Sequence, residues 1–559
     1  MIHQKNTFIG CSGYQTPEHD TIKVYHSDLR RKKRKLPLMK YSPLIPSLLL
    51  VATILLCWPC TAQNTPDTYT NPVIAGDFPD PSIVRVGNTY YAVGTSCDFA
   101  PNYPIYQSSD LINWTRVGAV FSKPPAWASD DFWAPELFYR DGTFYVYYTT
   151  KRKDTRIACI GVATTQDIHS GFTDHGIIVE WGEEAIDAFI FDDDDGKRYF
   201  TWKAYGLTEG RDIEILASEL SDDGLRLVGD HWTLTDHTQG WQGAGDEGQC
   251  LVKRNGYYYL LYSIGGCCDN RCDYRVVVSR SKDLRSGWEQ YPEPILQGGD
   301  DWRCPGHGTL VTTADNRDFY LYHSYNATDF EFIGRQGMLD EIVWDELSGW
   351  PRFKNGRTPS TTAPVPFQGT EQHKEVNWSD DFSSDEHLAF WEWDVNVPAP
   401  QPTVEEGDLV MATTHRGINF LGLRPKTGDY SLVAEVALDD GDRGVGVYSN
   451  QENVLAFMAS SSELSVIKIE KGQEETLWKE AVKPARSVFL KYEAVEGRYY
   501  RFFWSTDGQD WKPVALPNDT VDATYIAQWG YSPRAGFIAD GALSVPPRYS
   551  SVDITYQYK

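Results

Sequence analysis

Asp80-Pro81-Ser82-Ile83-Val84-Arg85-Val86-Gly87-Asn88-Thr89-Tyr90-Tyr91-Ala92-Val93 reads as two alternating strands joined by a two-residue turn, and it is the first of five such passages. Turn dipeptides of this kind tolerate the positive φ that a tight hairpin needs. The pairing returns at Asp141-Gly142 before Phe144-Tyr145-Val146-Tyr147-Tyr148, and at Asp195-Gly196 before Tyr199-Phe200-Thr201-Trp202. It returns again at Asn255-Gly256 before Tyr257-Tyr258-Tyr259-Leu260-Leu261-Tyr262, and at Asp315-Asn316 before Phe319-Tyr320-Leu321-Tyr322-His323. The second turn residues stand at 88, 142, 196, 256 and 316, in steps of 54, 54, 60 and 60. A second echo, Ser108-Ser109-Asp110-Leu111 with Trp114, matches Ser281-Lys282-Asp283-Leu284 with Trp288, and Thr165-Gln166-Asp167-Ile168 with Phe172 is a close variant. Units of this length supply roughly four strands each. Five of them predict an all-β chain whose residues 67–353 form a five-bladed β-propeller, with Gly334 to Trp350 completing the last blade.

Outward from the repeat, Lys354 to Glu375 is rich in Pro, Thr and Gly without apolar periodicity and reads as a linker, residues 354–375. Alternating strands then resume without the repeat, as in Tyr430-Ser431-Leu432-Val433-Ala434-Glu435-Val436, so residues 376–559 predict a β-sandwich of jelly-roll type. At the other end, residues 1–62 read as an extension and secretory signal. Arg30-Arg31-Lys32-Lys33-Arg34-Lys35 is a basic block, Tyr41 to Pro66 carries no charge, and Cys60-Thr61-Ala62 offers a processing site, with cleavage expected after Ala62. Met39 is the expected true start. A retained membrane anchor is opposed by Pro43, Pro46 and Pro59, and a lipoprotein route through Cys57 has poor flanking residues. The expected location is therefore secreted or periplasmic, with no membrane span in the mature protein.

Nineteen Trp and 33 Tyr against 5 Met favour β-structure and aromatic-lined clefts suited to flat ligands such as sugar rings. A net charge of −26 excludes nucleic acid as a partner, because a phosphate backbone needs a basic surface. Seven cysteines follow residue 62 (Cys97, Cys159, Cys250, Cys267, Cys268, Cys272 and Cys304), an odd number that leaves at least one thiol unpaired. The 267–272 cluster lacks the paired spacing of a zinc ribbon and reads as a local disulfide. The run Asp192-Asp193-Asp194-Asp195 reads as a solvated turn, with a Ca²⁺ loop the alternative.

The first strand of a propeller blade lines the central axis. Eight or nine residues before each turn stand Asp80, Trp133, Asp187, Glu247 and His307. Alone, Asp80 between Pro79 and Pro81 is a rigid turn carrying an acid, its backbone pushed toward extended geometry. Three acids at five equivalent places repel one another, which makes sense where their proton affinities are separated for chemistry. Paired carboxylates facing an aromatic platform suit glycoside hydrolysis.

Asn71-Pro72-Val73, Phe78-Pro79-Asp80-Pro81-Ser82-Ile83, Trp133-Ala134-Pro135-Glu136-Leu137, Ile186-Asp187, Asp246-Glu247-Gly248 and Gly306-His307-Gly308 together resemble glycoside hydrolase family 43 over about residues 69–353. Residues 376–559 resemble the concanavalin A-like sandwich that follows the propeller in many of the family's β-xylosidases, where it packs beside the pocket and can narrow it; the family also holds α-L-arabinofuranosidases. The resemblance implies an inverting, exo-acting enzyme that removes terminal β-D-xylosyl or α-L-arabinofuranosyl residues from plant cell-wall oligosaccharides or polysaccharides. It implies Asp80 as general base, Glu247 as general acid, and Asp187 as the group that raises the pKa of Glu247 and orients it. Trp133, His307, Arg335 and Phe99 are implied to bind the sugar. Glu136, three residues past Trp133, points to the same side only if the strand is kinked, and by that spacing it reads as a support behind the site. His307 matches an axial histidine found near calcium or its waters, so a structural Ca²⁺ on the axis is an expectation, with no cofactor required. Where the family carries Glu-Gly-Pro this chain has Glu247-Gly248-Gln249, which bears on the neighbouring subsite. The alternatives are a non-catalytic carbohydrate-binding propeller, and an arabinan-, galactan- or fructan-directed propeller glycosidase.

Overall fold

The computed structural model describes residues 67–236, 245–483 and 486–558; the segment expected to be a secretory signal lies outside them. Five sheets of four antiparallel strands follow one another in chain order. The first uses residues 82–86, 89–93, 102–108 and 115–121, the second 133–140, 143–151, 158–165 and 173–179, and the third 184–192, 198–208, 211–220 and 227–236. The fourth uses 247–254, 257–264, 275–281 and 289–290, and the fifth 302–312, 318–326, 335–344 and 351–353. These are the blades of a five-bladed propeller. In each blade the strand after the turn is the Tyr-rich one, and its rings fill the seams between neighbouring blades. Tyr147 meets Phe200 edge-on at 5.4 Å, and Tyr259, Tyr320 and Tyr322 share one core with Phe189 and Phe191. Each fully buried ring of this size contributes about 2 kcal/mol of apolar burial.

The segment read as a linker is no free tether. Thr362–Pro364 pairs antiparallel with Thr68–Thr70, and the Asn71 N–H donates to the Thr361 carbonyl at 3.0 Å. The stretch thus lies along the propeller's first residues before the chain leaves for the sandwich. There, a sheet built on residues 430–437, 487–495, 499–505 and 548–556 faces a six-stranded sheet, residues 418–423, 443–450, 453–459, 463–470, 473–481 and 534–540. Strands such as Tyr430–Ala437 alternate buried and half-buried positions, as a sheet with one face on the core requires. The main core between the sheets includes Trp391, Leu432, Val445, Phe457, Leu490 and Phe537.

Sandwich and propeller are joined through a buried ionic cluster. Glu392 is fully buried and accepts from Arg424 Nε (2.8 Å), Arg534 Nε (2.7 Å) and Arg116 Nη1 (3.1 Å). Arg534 Nη2 also reaches Asp77 Oδ2 at 3.1 Å, and Arg424 Nη1 donates to the Asp77 carbonyl. The cluster therefore grips the chain three residues ahead of Asp80.

Candidate active site

A backbone residue in the left-handed region stands near the start of every inner strand: Asp80 (φ 52°), Ala134 (34°), Asp187 (58°), Gly248 (57°) and His307 (43°). In four blades the pairing with the next strand also slips there, at Trp133/Glu136, Ile186/Phe189, Glu247/Cys250 and Gly306/Thr309. Such bulges re-aim side chains out of the sheet, and left-handed non-glycine backbone persists only where its surroundings hold it. The extended backbone expected at Asp80 from its prolines is not found. Its N–H instead donates to His323 Nδ1 at 3.1 Å.

That bond is one of a set. The residue seven positions after each hairpin turn is Thr95, Thr149, Lys203, Ser263 or His323. Thr95 Oγ1 accepts the Ala134 N–H (2.7 Å), Thr149 Oγ1 that of Asp187 (3.2 Å), and Ser263 Oγ that of His307 (2.8 Å), while His323 takes that of Asp80. Each blade holds the kinked residue of the next, and the fifth holds the first. Lys203 has no lone pair to offer when protonated. It pairs with Glu247 Oε2 at 2.6 Å, and the Gly248 N–H turns to Asp187 Oδ2 at 3.1 Å.

The kinks bring Asp80, Asp187, Glu247, Trp133 and His307 to one cavity of about 220 Å³, with Arg335. Arg335 Nη1 lies 3.0 Å from Asp80 Oδ1, and Thr95 Oγ1 donates to Asp80 Oδ2 at 2.7 Å. His307 Nδ1 stands 3.5 Å from Asp80 and 3.9 Å from Asp187. Burial pushes the Asp80 carboxyl upward, but Arg335 and then His307 outweigh it and hold the group well below the usual carboxylate range. Burial lowers His323 to about 4, so it is neutral, and with Nδ1 accepting from Asp80 its proton sits on Nε2.

The two remaining acids differ from expectation in their order. Asp187 is raised to about 6 by burial, with Glu247 adding to the rise and His307 opposing it. Burial also acts against ionised Glu247, but Lys203 overrides it and lowers that group. Lys203 itself is raised, its burial opposed by Glu247. Tyr274 Oη completes the grip, donating to Glu247 Oε1 at 2.8 Å. Asp187 and Glu247 thus form a coupled pair whose proton resides mainly on Asp187 in this geometry. Replacing Lys203 by Met removes the cation that favours ionised Glu247, so its pKa rises. The basic limb of kcat/KM is expected to move upward. About tenfold more of the maximal rate should survive at pH 8, read from a pH profile; an unmoved limb refutes the role of Lys203.

Phe99 is not at the site. It is buried in the domain interface, edge-on to Phe420 and Tyr448 at 6.5 and 6.4 Å with the Arg534 guanidinium 4.5 Å above its ring. The reason is that residues 99–100 pair with Trp393–Asp394 of the sandwich, drawing the ring away from the axis. The wall expected there comes from the sandwich itself, whose Trp529, Gly530 and Tyr531 line the cavity, and Tyr531 Oη donates to Asp131. Glu136 does not line it; Ser82 Oγ donates to its carboxylate at 2.6 Å, and burial raises it to about 8. Gln249 is buried too, its amide donating to the Asp187 carbonyl, so the departure from Glu-Gly-Pro braces Asp187 and does not line this cavity. Gly248 has a further reason to be glycine: a Cβ there would lie 2.7 Å from His307 Cγ. The acidic turn is partly solvated, with Asp193 tucked against Lys253 (2.5 Å) and Tyr258.

Among the described residues no group of three or more His, Cys, Asp or Glu is arranged to hold a metal ion. The carboxylates beside His307 are committed to Arg335, Thr95 and the Gly248 N–H.

Carboxylates with opposed proton affinities across one sugar-sized cavity are the equipment of a glycoside hydrolase. The family model of glycosyl hydrolases family 43 matches residues 69–351, and the chain belongs to that family. It is 30% identical over 329 residues to a xylan 1,3-beta-xylosidase of a Vibrio species, covering 54% of this chain and 60% of that protein. It is 26% identical over 426 residues to a non-reducing end alpha-L-arabinofuranosidase of Bacteroides ovatus, covering 71% of this chain and 76% of that one. The fold of a xylan beta-1,4-xylosidase from Bacillus halodurans superposes with a TM-score of 0.75 at 22% identity, over 87% of this chain and all of the other.

Proposed function

We propose that the protein is a secreted, exo-acting, inverting glycosidase that removes terminal β-D-xylosyl or α-L-arabinofuranosyl units from plant cell-wall saccharides. The observation that carries exo action is the cavity wall of Trp529, Gly530 and Tyr531, which the sandwich lays across one side of the axial mouth. A cavity walled in this way suits a chain end better than a chain interior. Secretion is supported by two disulfides, Cys267–Cys268 and Cys272–Cys304, which need an oxidising compartment; Cys97, Cys159 and Cys250 stay as buried thiols. Among the described residues no helix is long and apolar enough to cross a membrane.

In this reading Asp80, ionised at any working pH, takes a proton from the attacking water, and Arg335 and His307 orient the sugar beside it. Glu247 protonates the leaving oxygen. Asp187 stores that proton, and its negative charge, once the proton has passed over, favours protonated Glu247 against the pull of Lys203. Aryl β-D-xylosides and aryl α-L-arabinofuranosides test the activity, and an NMR time course of the released anomer tests inversion; retention, or cleavage of neither, refutes the proposal. Glu247→Gln should slow disaccharide hydrolysis about 10²-fold, yet slow a 2,4-dinitrophenyl glycoside only a few-fold, because that leaving group needs no proton. Equal losses on both would remove Glu247 from the acid role.

A further inference from the structure

Cys267 and Cys268 are neighbours in sequence and bonded to each other, and both line the cavity, although the proton chemistry uses neither. Their loop leaves the fourth blade's second strand after Ile264 and returns at Arg275. It is fixed at several points. Asp273 Oδ1 accepts the Gly266 N–H at 2.9 Å, and the Cys272–Cys304 bond ties the loop to the fifth blade's inner strand. From the sandwich, the Gly530 N–H donates to the Cys268 carbonyl at 2.8 Å. The loop's last residue, Tyr274, is the one that holds Glu247.

That last contact sets which half of the substrate the loop faces. The acid must reach the glycosidic oxygen, so the wall built on the acid's own support lies toward the departing sugar. A disulfide between adjacent residues closes an eight-membered ring whose outer face is two sulfurs and two methylenes. It offers no hydrogen-bond donor and is apolar and polarisable, which suits the C–H face of a sugar ring. Its rigidity means that little side-chain entropy is lost on contact.

We propose that the Cys267–Cys268 disulfide is the platform for the leaving-group sugar. The proposal rests on the glycosidase reading above and deepens it. The test compares two leaving groups: a second sugar, in xylobiose or arabinobiose, and fluoride, in β-D-xylosyl or α-L-arabinofuranosyl fluoride, which has no ring to rest on anything. In the full chain carrying Cys267→Ala and Cys268→Ala, the ratio of kcat/KM for disaccharide to that for fluoride is expected to fall about tenfold. An unchanged ratio overturns the proposal, as does a parallel loss on both substrates, which would make the loop a scaffold only. Should the double variant fail to fold, the wild-type protein is titrated with a phosphine reductant while mass spectrometry follows the adjacent pair. The same ratio must then fall as that pair opens, and a ratio that stays constant overturns the proposal. A wild-type protein that cleaves neither disaccharide nor fluoride instead refutes the glycosidase reading, and the platform with it.

Discussion

Asp80→Asn is expected to lower kcat about 10⁴-fold on every substrate, good leaving group or poor, because the water loses the group that takes its proton. The substitution keeps shape, and the amide still has an oxygen for Arg335 or Thr95. What it removes is the negative charge that Arg335 balances in a buried setting, so some stability goes as well, on the order of 1–3 kcal/mol. The two effects separate in measurement: the rate is taken well below the denaturation midpoint, and circular dichroism confirms that the sheets remain. The leaving-group independence distinguishes this loss from that of Glu247→Gln. A variant that keeps even a tenth of the rate would move the base elsewhere and leave Asp80 as a structural anchor for Arg335.

The second large effect lies far from the sugar. Glu392→Gln should cost about 3–5 kcal/mol, because three guanidiniums converge on a fully buried carboxylate and would be left facing one another. An exposed pair such as Arg548–Glu405 is the control, and Glu405→Gln should cost no more than about 1 kcal/mol. Urea midpoints of the two variants make the comparison, and equal midpoints would refute the clamp. Activity should fall together with stability in Glu392→Gln, since Arg534 and Arg424 hold Asp77 just ahead of Asp80, the proposed base. Acid acts on the same cluster. Burial opposes ionisation of Glu392, yet Arg424, Arg534 and Arg116 bring it down from 4.5 to about 2. A folded value below the unfolded one means that its contribution is complete above pH 4.5 and drains away as pH falls toward 2. Wild-type stability should therefore drop across that window, and Glu392→Gln should lack that part of the drop.

The propeller was legible because hairpin turns and Tyr-rich strands repeat in plain sight, and counting back from the turns reached five residues that do share the cavity. Phe99 was misplaced because nothing in its own neighbourhood reveals that residues 99–100 pair with a strand nearly 300 positions later. Trp529 and Tyr531 were hidden for the same reason: the sandwich has no repeat to mark which loop meets the axis. Lys203 is the instructive omission. It sits seven residues after Gly196, as Thr95, Thr149, Ser263 and His323 sit after their turns, so counting forward as well as back would have found it. Its effect on Glu247 could still not be read, because a lysine at that register could face either solvent or acid until the fold closes.

The ring of acceptors in which each blade secures its successor also bears on how such a protein can change. A duplicated or exchanged blade arrives with half of two sockets: its own kink, and the side chain that steadies the kink next door. Lineages that add, lose or swap blades therefore inherit ready-made positions for side chains on the axis, and a new reaction needs new residues in old sockets and no new backbone. Lys203 stands at a position of that ring where the side chain pairs with an acid, Glu247, and leaves the neighbouring Gly248 N–H to Asp187.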